Sequence, residues 1–519
     1  MKKHPHLRSS RRTAALILVG SVAALLVPRL SAQTTITYTN GQTDATAYST
    51  SAPNDPTTLS LASGAATQSG ILSGNGAVII NAGTGTLTLS AANTVSGTTT
   101  VSAGTLALGN VNALQNSTLN TGVSGTQAVT FTVAGTNTYN LGGLTGADAI
   151  ANGGNTISVG ANNADTTYSG GVSGTGGLTK VGTGTLTLSN VNSRSGVTTL
   201  REGTLSTNSV KNFGGSASNA AANLVFDGGT LRYTGSTASS TSRDFTINAG
   251  KTATFDISIN LSWHGASVAT TGALTKTGAG TLTLSGANLH TGATTISAGV
   301  LVSANEGALS TTSSVAVNST GTLAVKYGGA SDYTQAQVGT LLGKTTFGAT
   351  TAAFGFDTTN AVGAATYGSV LSMAAGVTKL GAGTLVLDQA NTYTGATTVS
   401  AGTLALGNVN ALQNSTLDTG ASGAQAVTFT VAGTNTYNVG GLKGADDLAI
   451  GANTLSVGAN GQNTSYTGVL SGLNGVLNKV GAGTLTLSSA PLHTGGTTVN
   501  AGTLLLSGAT TCPPPGRCR

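Results

Sequence analysis

The sequence predicts an all-β protein that folds as an elongated, single-stranded parallel β-solenoid. Three observations carry this prediction: one motif occurs five times, a 19-residue step lies within each copy, and much glycine is combined with little charge. The 519 residues include 77 Gly, and 7% of them are charged and 4% are aromatic. An ordinary globular domain has about 25% charged residues. A mean hydropathy of +0.16 distinguishes the chain from a disordered one.

The motif is clearest in its fourth copy, which reads KLGAGTLVLDQANTYTGATTVSAGTLAL. The five copies occupy residues 81–108, 180–207, 276–303, 379–406 and 479–506. In the fourth copy Gly383 and Gly402 are 19 residues apart, and each precedes a Thr-Leu pair. Repeats of such regular spacing are typical of solenoid proteins.

Each half of the motif predicts a short strand with one buried face. Leu385 and Leu387 alternate with Thr384 and Val386, which is the side-chain period of a strand. A unit near 20 residues with such strands describes one coil, so we expect Leu385 to stack on Leu404 of the next coil, ~4.8 Å away. At roughly 20 to 25 residues per coil, about twenty coils fit the chain. A string of β-sandwich domains is the alternative, which the 19-residue step disfavours.

The two ends of the chain differ from its body. A basic segment, an apolar run from Ala14 to Val27 and small residues up to Ala32 predict a signal peptide at residues 1–32. We expect a lead-in or cap at residues 33–69, the solenoid at 70–508 and an irregular tail at 509–519. The tail holds Cys512 and Cys518, the two cysteines of the chain, which are too few ligands for a metal site.

Two aromatic-rich stretches, residues 207–275 and 326–367, depart from the repeat. Within the second, apolar spacing after Ser331 and Asp332 predicts one short helix near residues 332–342, with these two residues at its N-terminal cap.

The pattern K-x-G-x-G-T-L-T-L-S-x-x-N-x-x-x-G-x-T-T-V-x-x-G-T-L resembles the autotransporter-associated β-strand repeat, also called the passenger-associated transport repeat. The resemblance implies a right-handed parallel β-helix. It also implies a secreted or surface-exposed passenger of a diderm bacterium, with a structural or adhesin-like role. In that family the repeat is thought to assist export by folding outside the cell.

The same resemblance suggests partners. We expect extracellular glycans or other surface proteins as ligands, and the export machinery or a separate outer-membrane barrel as the route of secretion. Such passengers carry a C-terminal barrel, for which the residues after Gly502 leave no room, so we expect a truncated chain or a separate barrel.

Charge and motif content disfavour nucleic acid and nucleotides as partners. Seven of the 21 Lys and Arg residues lie in the first twelve or last three positions, so the body holds 14 cations (21 − 7) against 15 Asp and Glu. A basic stripe for nucleic acid is therefore missing from the sequence. The glycine loop at Gly381 has Val386 where a dinucleotide fingerprint needs its third glycine. We predict no catalytic residue, no cofactor and no metal site.

Single positions of the motif predict surface residues. His290 and His493 share one position with Val95, Arg194 and Tyr393, and such variety predicts an outward turn residue. Lys180, Lys276, Lys379 and Lys479 share another position and are expected to be solvated turn charges.

The alternative function is a glycan-binding or polysaccharide-degrading β-helix enzyme, because many proteins of this fold cleave polysaccharides. Such an enzyme needs carboxylates that converge on one face. The densest group of candidate residues is Asp227, Arg232, Arg243, Asp244, Asp256 and His264, for which scattered solvated charges are the simpler interpretation. If glycans bind, we expect contacts at Trp263, Tyr233 and His264, because sugar faces stack on such rings.

Overall fold

The computed structural model describes residues 34–50, 55–123, 125, 127–214, 223–421, 423 and 425–507. Its architecture is an all-β solenoid of about 22 turns with parallel strands. The predicted fold class is therefore confirmed. The predicted signal peptide, and the tail with Cys512 and Cys518, lie outside the described residues.

Short strands, joined by turns rich in glycine, asparagine and threonine, make up each coil. In the first half of the chain the strands are Thr34–Tyr38, Thr43–Asp44, Tyr48–Thr50, Thr57–Leu61, Ala65–Gln68, Leu72–Gly74, Val78–Leu89, Thr99–Leu108, Leu114–Asn120, Gln127–Phe131, Thr138–Thr145, Ile150–Gly153, Thr156–Val159, Thr166–Tyr168, Val172–Gly174, Leu178–Lys180, Thr185–Leu188, Thr198–Leu200, Thr204–Thr207, Leu224–Phe226, Thr230–Tyr233, Ser239–Thr241, Thr246–Ile247, Thr252–Ile257 and Leu261–Trp263.

The second half continues in the same way. Its strands are Ala273–Thr277, Thr281–Leu284, Thr294–Ser303, Val315–Lys326, Thr345–Phe347, Ala353–Asp357, Ala364–Tyr367, Gly376–Leu380, Thr384–Leu387, Thr397–Val399, Gly402–Leu406, Leu412–Asp418, Gln425–Phe429, Thr436–Lys443, Leu448–Ala449, Thr454–Val457, Thr464–Tyr466, Leu470–Gly472, Val476–Lys479, Thr484–Leu487, Leu492–His493, Thr497–Val499 and Thr503–Leu506.

Strand register places the leucines of the motif in columns. Leu385 pairs with Leu404, and Leu387 pairs with Leu406, one coil further along. All four side chains are at most 1% exposed. The predicted stacking of Leu385 on Leu404 is therefore confirmed. Its physical basis is the period of two, which directs every second side chain of each strand into the narrow interior.

The first described strand already belongs to this ladder. Thr34–Tyr38 pairs in parallel with Thr57–Leu61, which in turn pairs with the strand that enters the first repeat. The described part of the predicted lead-in, residues 34–50 and 55–69, therefore forms coils of the same kind.

One short helix interrupts the coils, as predicted. It spans Gln335–Gly343, between the strands Val315–Lys326 and Thr345–Phe347, and buries Val338 and Leu341. Its N-cap is Thr334, which forms a capping box with Gln337, so the cap expected at Ser331 and Asp332 is wrong. Asp332 instead accepts a hydrogen bond from the backbone amide of Gly329 and closes the turn before the helix.

Candidate functional site

The same arrangement of side chains recurs in the repeat units. In each unit a glycine loop forms a tight corner between two coils. Gly381 and Gly402 have φ angles of 74° and 68°, in the left-handed region. A Cβ atom on Gly402 would lie 2.5 Å from the carbonyl oxygens of both Gly381 and Gly383. The corner therefore requires glycine for its backbone angle and for the close approach of neighbouring coils.

The carbonyls of this corner surround the side chain of Lys379. Its Nζ donates to the carbonyl oxygens of Leu380 at 2.8 Å and Gly381 at 2.7 Å, and to Ala401 of the next coil at 3.0 Å. An ammonium group has three donors, so this carbonyl cage satisfies all of them. The carbonyl oxygens of this cage bind a cation. A phosphate-binding loop instead presents backbone N–H groups to its ligand, so the two kinds of loop have opposite polarity.

The same cage recurs in three other repeats. Lys180, Lys276 and Lys479 each donate to the next two carbonyls of their own chain segment and to one carbonyl 22 residues further on. All four lysines are at most 1% exposed. Burial lowers the pKa of Lys180, Lys276 and Lys379 to about 8.

The prediction that these lysines are solvated turn charges is therefore wrong. The residue lies at the end of a strand with its side chain inward, where backbone carbonyls replace water. The sequence signal that could have found the cage is the pairing of Lys with a Gly two positions later, because that Gly turns its carbonyl back onto the ammonium group.

A second recurring residue joins three coils. Asn391 accepts a hydrogen bond from the amide of Leu371 in the preceding coil at 2.9 Å and donates to the carbonyl of Ala411 in the following coil at 3.1 Å. Asn93 makes the equivalent bonds to Leu72 and Ala113. These asparagines, which we call asparagine rungs, are buried and form hydrogen bonds with backbone groups that the turn leaves without a strand partner.

A third recurring position points into the solenoid. Its residues are Val95, Arg194, His290, Tyr393 and His493, all at most 4% exposed. The prediction of an outward turn residue is therefore wrong. The side chains at this position differ, but the polar ones share a partner, the Thr four residues later. Tyr393 forms a hydrogen bond with Thr397 at 2.6 Å, and His493 forms one with Thr497 at 2.8 Å.

Burial at this position shifts the titration of its ionisable members. The pKa of His290 falls to about 4, because desolvation disfavours the imidazolium. The pKa of Arg194 falls to about 9, first through burial and second through the charge of Arg243. The Arg194 guanidinium donates to Thr198 at 2.6 Å and to the carbonyl of Phe213 at 3.1 Å.

The residues predicted to contact glycans are distributed between core and surface. Trp263 is fully buried, and its Nε1 donates to the carbonyl of Arg243 at 2.6 Å. Tyr233 is 3% exposed, so its ring too lies in the core. Only His264 is at the surface, where its Nδ1 lies 2.6 Å from Ser285 Oγ. Glycan contact at these residues stays a prediction.

The carboxylates considered for catalysis have structural partners. Asp256 pairs with Arg232 at 2.6 Å, and Asp227 lies 3.6 Å from Arg201. Asp244 accepts a hydrogen bond from the amide of Ala266 at 2.6 Å. Arg243, by contrast, is buried over the ring of Phe213, so it is not a surface charge. Within the described ranges, no cluster of three or more His, Cys, Asp or Glu residues could hold a metal ion.

No helix among the described residues is long and apolar enough to cross a membrane.

Stacked coils, caged lysines and asparagine rungs define a class: this is a repeat protein whose recurring unit is built for coil stacking. More particularly, the chain carries five passenger-associated-transport repeats. The model of that repeat matches residues 79–108, 178–206, 274–302, 377–406 and 477–506. The resemblance inferred from the motif is thereby confirmed.

Among curated proteins, the chain is similar to the Adhesin BmaC autotransporter of Brucella suis biovar 1 (strain 1330). The two are 40% identical over 177 residues, which is 32% of this chain and 5% of the relative. The chain thus spans a small part of that protein's length. No solved structure matches the chain.

Proposed function

We propose that this protein is an adhesin-like passenger that is secreted by, or displayed on the surface of, a Gram-negative bacterium. The single observation that carries the proposal is the set of five passenger-associated transport repeats within one parallel solenoid. The similarity to an autotransporter adhesin supports it.

The mechanism is mechanical. Leucine columns and backbone ladders grow as coils are added, and each of the four lysine cages is complete only when the next coil docks, as Ala401 supplies the third acceptor for Lys379. Folding by addition of coils outside the cell therefore disfavours backward movement of the chain and assists its export. The finished stalk presents threonine, serine and asparagine side chains for adhesive contacts with surface proteins or glycans. Export uses a barrel, and we propose no enzymatic activity.

Two measurements test this function. Protease treatment of intact cells should remove the protein from the producing bacterium, and beads coated with the purified full chain should attach to host cells or matrix more than beads coated with albumin. A protein that resists the protease until the cells are lysed would overturn the surface location. Equal attachment of both kinds of bead would overturn the adhesive role.

The enzyme alternative has its own test. Release of reducing sugar from a polysaccharide panel, measured with the purified chain, should stay at the background of the heat-denatured protein. Sustained release above background would replace the adhesive role with a catalytic one.

A further inference from the structure

A polar groove of about 470 Å³ lies on the solenoid at the fourth repeat and the coils that follow it. Its lining includes Thr350, Thr394, Thr416, Lys443, Gln462 and Ser465. Hydroxyl and amide groups dominate, so the groove offers both donors and acceptors at close spacing.

The groove runs along the solenoid axis. The coil of Thr394 stacks on that of Thr416 through the pair Thr397 and Leu417. Thr416 pairs with Gly441, next to which lies Thr464 of the following coil. Three coil steps at ~4.8 Å give a length of about 14 Å. An extended ligand parallel to the axis fits this shape better than a compact one.

An internal duplication allows the groove to be compared with its own copy. Residues 101–150 and 399–448 differ at seven of 50 positions. The likeness of the two copies continues past these blocks: Asn162 donates to Thr118, and Asn460 donates to Thr416, in both cases at 2.8 Å.

Two of the sequence differences between the blocks occur together, at positions that face each other beside the groove. Asn120 and Thr145 are strand partners in the first block, and Asp418 and Lys443 replace them in the second. The replacements form an ion pair with a Nζ to Oδ2 distance of 3.2 Å.

A further exchange lies on the groove wall. Just past the second block, Gln462 stands at the position that corresponds to Ala164 in the first copy, and its Oε1 accepts a hydrogen bond from Thr416 at 3.2 Å. Two of these three new side chains, Lys443 and Gln462, line the groove, and the third orients Lys443.

The chemistry of the groove selects a class of ligand. The charge of Lys443 is matched by Asp418, so the pair carries no net charge toward a ligand. Neighbouring hydroxyls and amides favour a ligand that donates and accepts hydrogen bonds at every unit. We propose that the groove binds an uncharged, hydroxyl-rich glycan chain that lies along the solenoid axis. This inference rests on the proposed adhesive function and assigns it a site distinct from Trp263, Tyr233 and His264.

The test exploits the duplication. Binding of the full chain to dextran, amylose and galactomannan, with hyaluronan and alginate as acidic comparisons, is measured by affinity electrophoresis. A variant with Asp418→Asn, Lys443→Thr and Gln462→Ala restores the first copy's residues at these three positions. We expect at least one neutral polysaccharide to retard the native chain, and the triple variant to bind it about tenfold more weakly, a loss of about 1.4 kcal/mol.

Two controls accompany the triple variant. Asn120→Asp with Thr145→Lys creates the ion pair in the first block and should leave binding unchanged. Gln462→Ala alone changes one exposed side chain, and it should weaken binding without altering the melting temperature.

Three results would overturn the proposal: no retardation by any neutral polysaccharide, full retention of binding by the triple variant with unchanged melting, or binding to the acidic polysaccharides alone. If the native chain fails in the panel while coated beads still attach to cells, the groove assignment is wrong and the adhesive function stands. If attachment also fails, the adhesive function is wrong as well.

Discussion

The ammonium nitrogen of Lys379 lies 3.0 Å from the carbonyl oxygen of Ala401, which belongs to the next coil. A buried cation thus ties one coil to its neighbour through uncharged backbone groups. Because the cage repeats in Lys180, Lys276 and Lys479, it is a structural element of the repeat and not an isolated contact.

Replacing Lys379 with methionine keeps most of the unbranched side chain but removes the three donors. The carbonyls of Leu380, Gly381 and Ala401 would then lack this partner, and we expect a loss of about 1–3 kcal/mol in the free energy of unfolding. Urea denaturation at pH 7, with hydrogen exchange at the two coils, measures the loss. Lys251→Met, at an exposed site, is the matched control and should be nearly neutral. Equal stability of Lys379→Met and the native chain would mean that the cage only offsets the cost of burying the charge.

The corner glycine should tolerate no side chain. Gly402→Ala forces an L-residue to φ near 68° and places Cβ 2.5 Å from two carbonyl oxygens. We expect a loss of about 1–3 kcal/mol from backbone strain alone. The urea midpoint is the measurement. Gly339→Ala is the matched control, because it lies in the helix with nothing within 4 Å of its Cβ position, and it should stabilise the chain slightly. A Gly402→Ala variant as stable as Gly339→Ala would contradict this account of the corner.

The asparagine rung should couple three coils. Asn391→Ala removes the acceptor of the Leu371 amide and the donor to the Ala411 carbonyl, and leaves both backbone groups buried without this partner. We expect a loss of about 1–3 kcal/mol and faster hydrogen exchange at the Leu371 amide. The exposed Asn318→Ala is the control. Unchanged protection of Leu371 in the Asn391 variant would show that the rung carries no stability.

Acid should destabilise the solenoid through His290. Its pKa is about 4 in the folded chain against an ordinary value of 6.5, so between these values the unfolded chain binds a proton that the folded chain does not. Stability therefore falls as the pH is lowered from about 6.5 to 4, with a slope of up to about 1.4 kcal/mol per pH unit from this residue. Melting temperatures across that range measure the effect.

The repeat itself supplies the variant for this test. His290→Tyr introduces the residue found at the equivalent Tyr393 and should flatten the acid slope. The share of His493 should remain, because burial also lowers the pKa of that residue. If His290→Tyr retains the full slope, other groups cause the acid sensitivity.

The solenoid, its coil length and the stacking of Leu385 on Leu404 follow from the sequence alone. Period-two alternation and a fixed 19-residue step favour one parallel arrangement, in which both of these leucines are buried. The helix was predictable from its apolar spacing, but its first residue was not, because Ser331, Asp332 and Thr334 are all acceptable caps and only the turn at Gly329 selects among them.

Which residues at the coil corners face inward depends on the tertiary structure. Lys379, His290 and Arg194 are polar, so composition assigns them to solvent, yet each is buried. Their partners are carbonyls and hydroxyls, among them groups of neighbouring coils such as Ala401 and Phe213, which chain position alone does not reveal. Burial of a polar side chain requires a full set of hydrogen-bond partners, and part of that set is in place only when the coils stack.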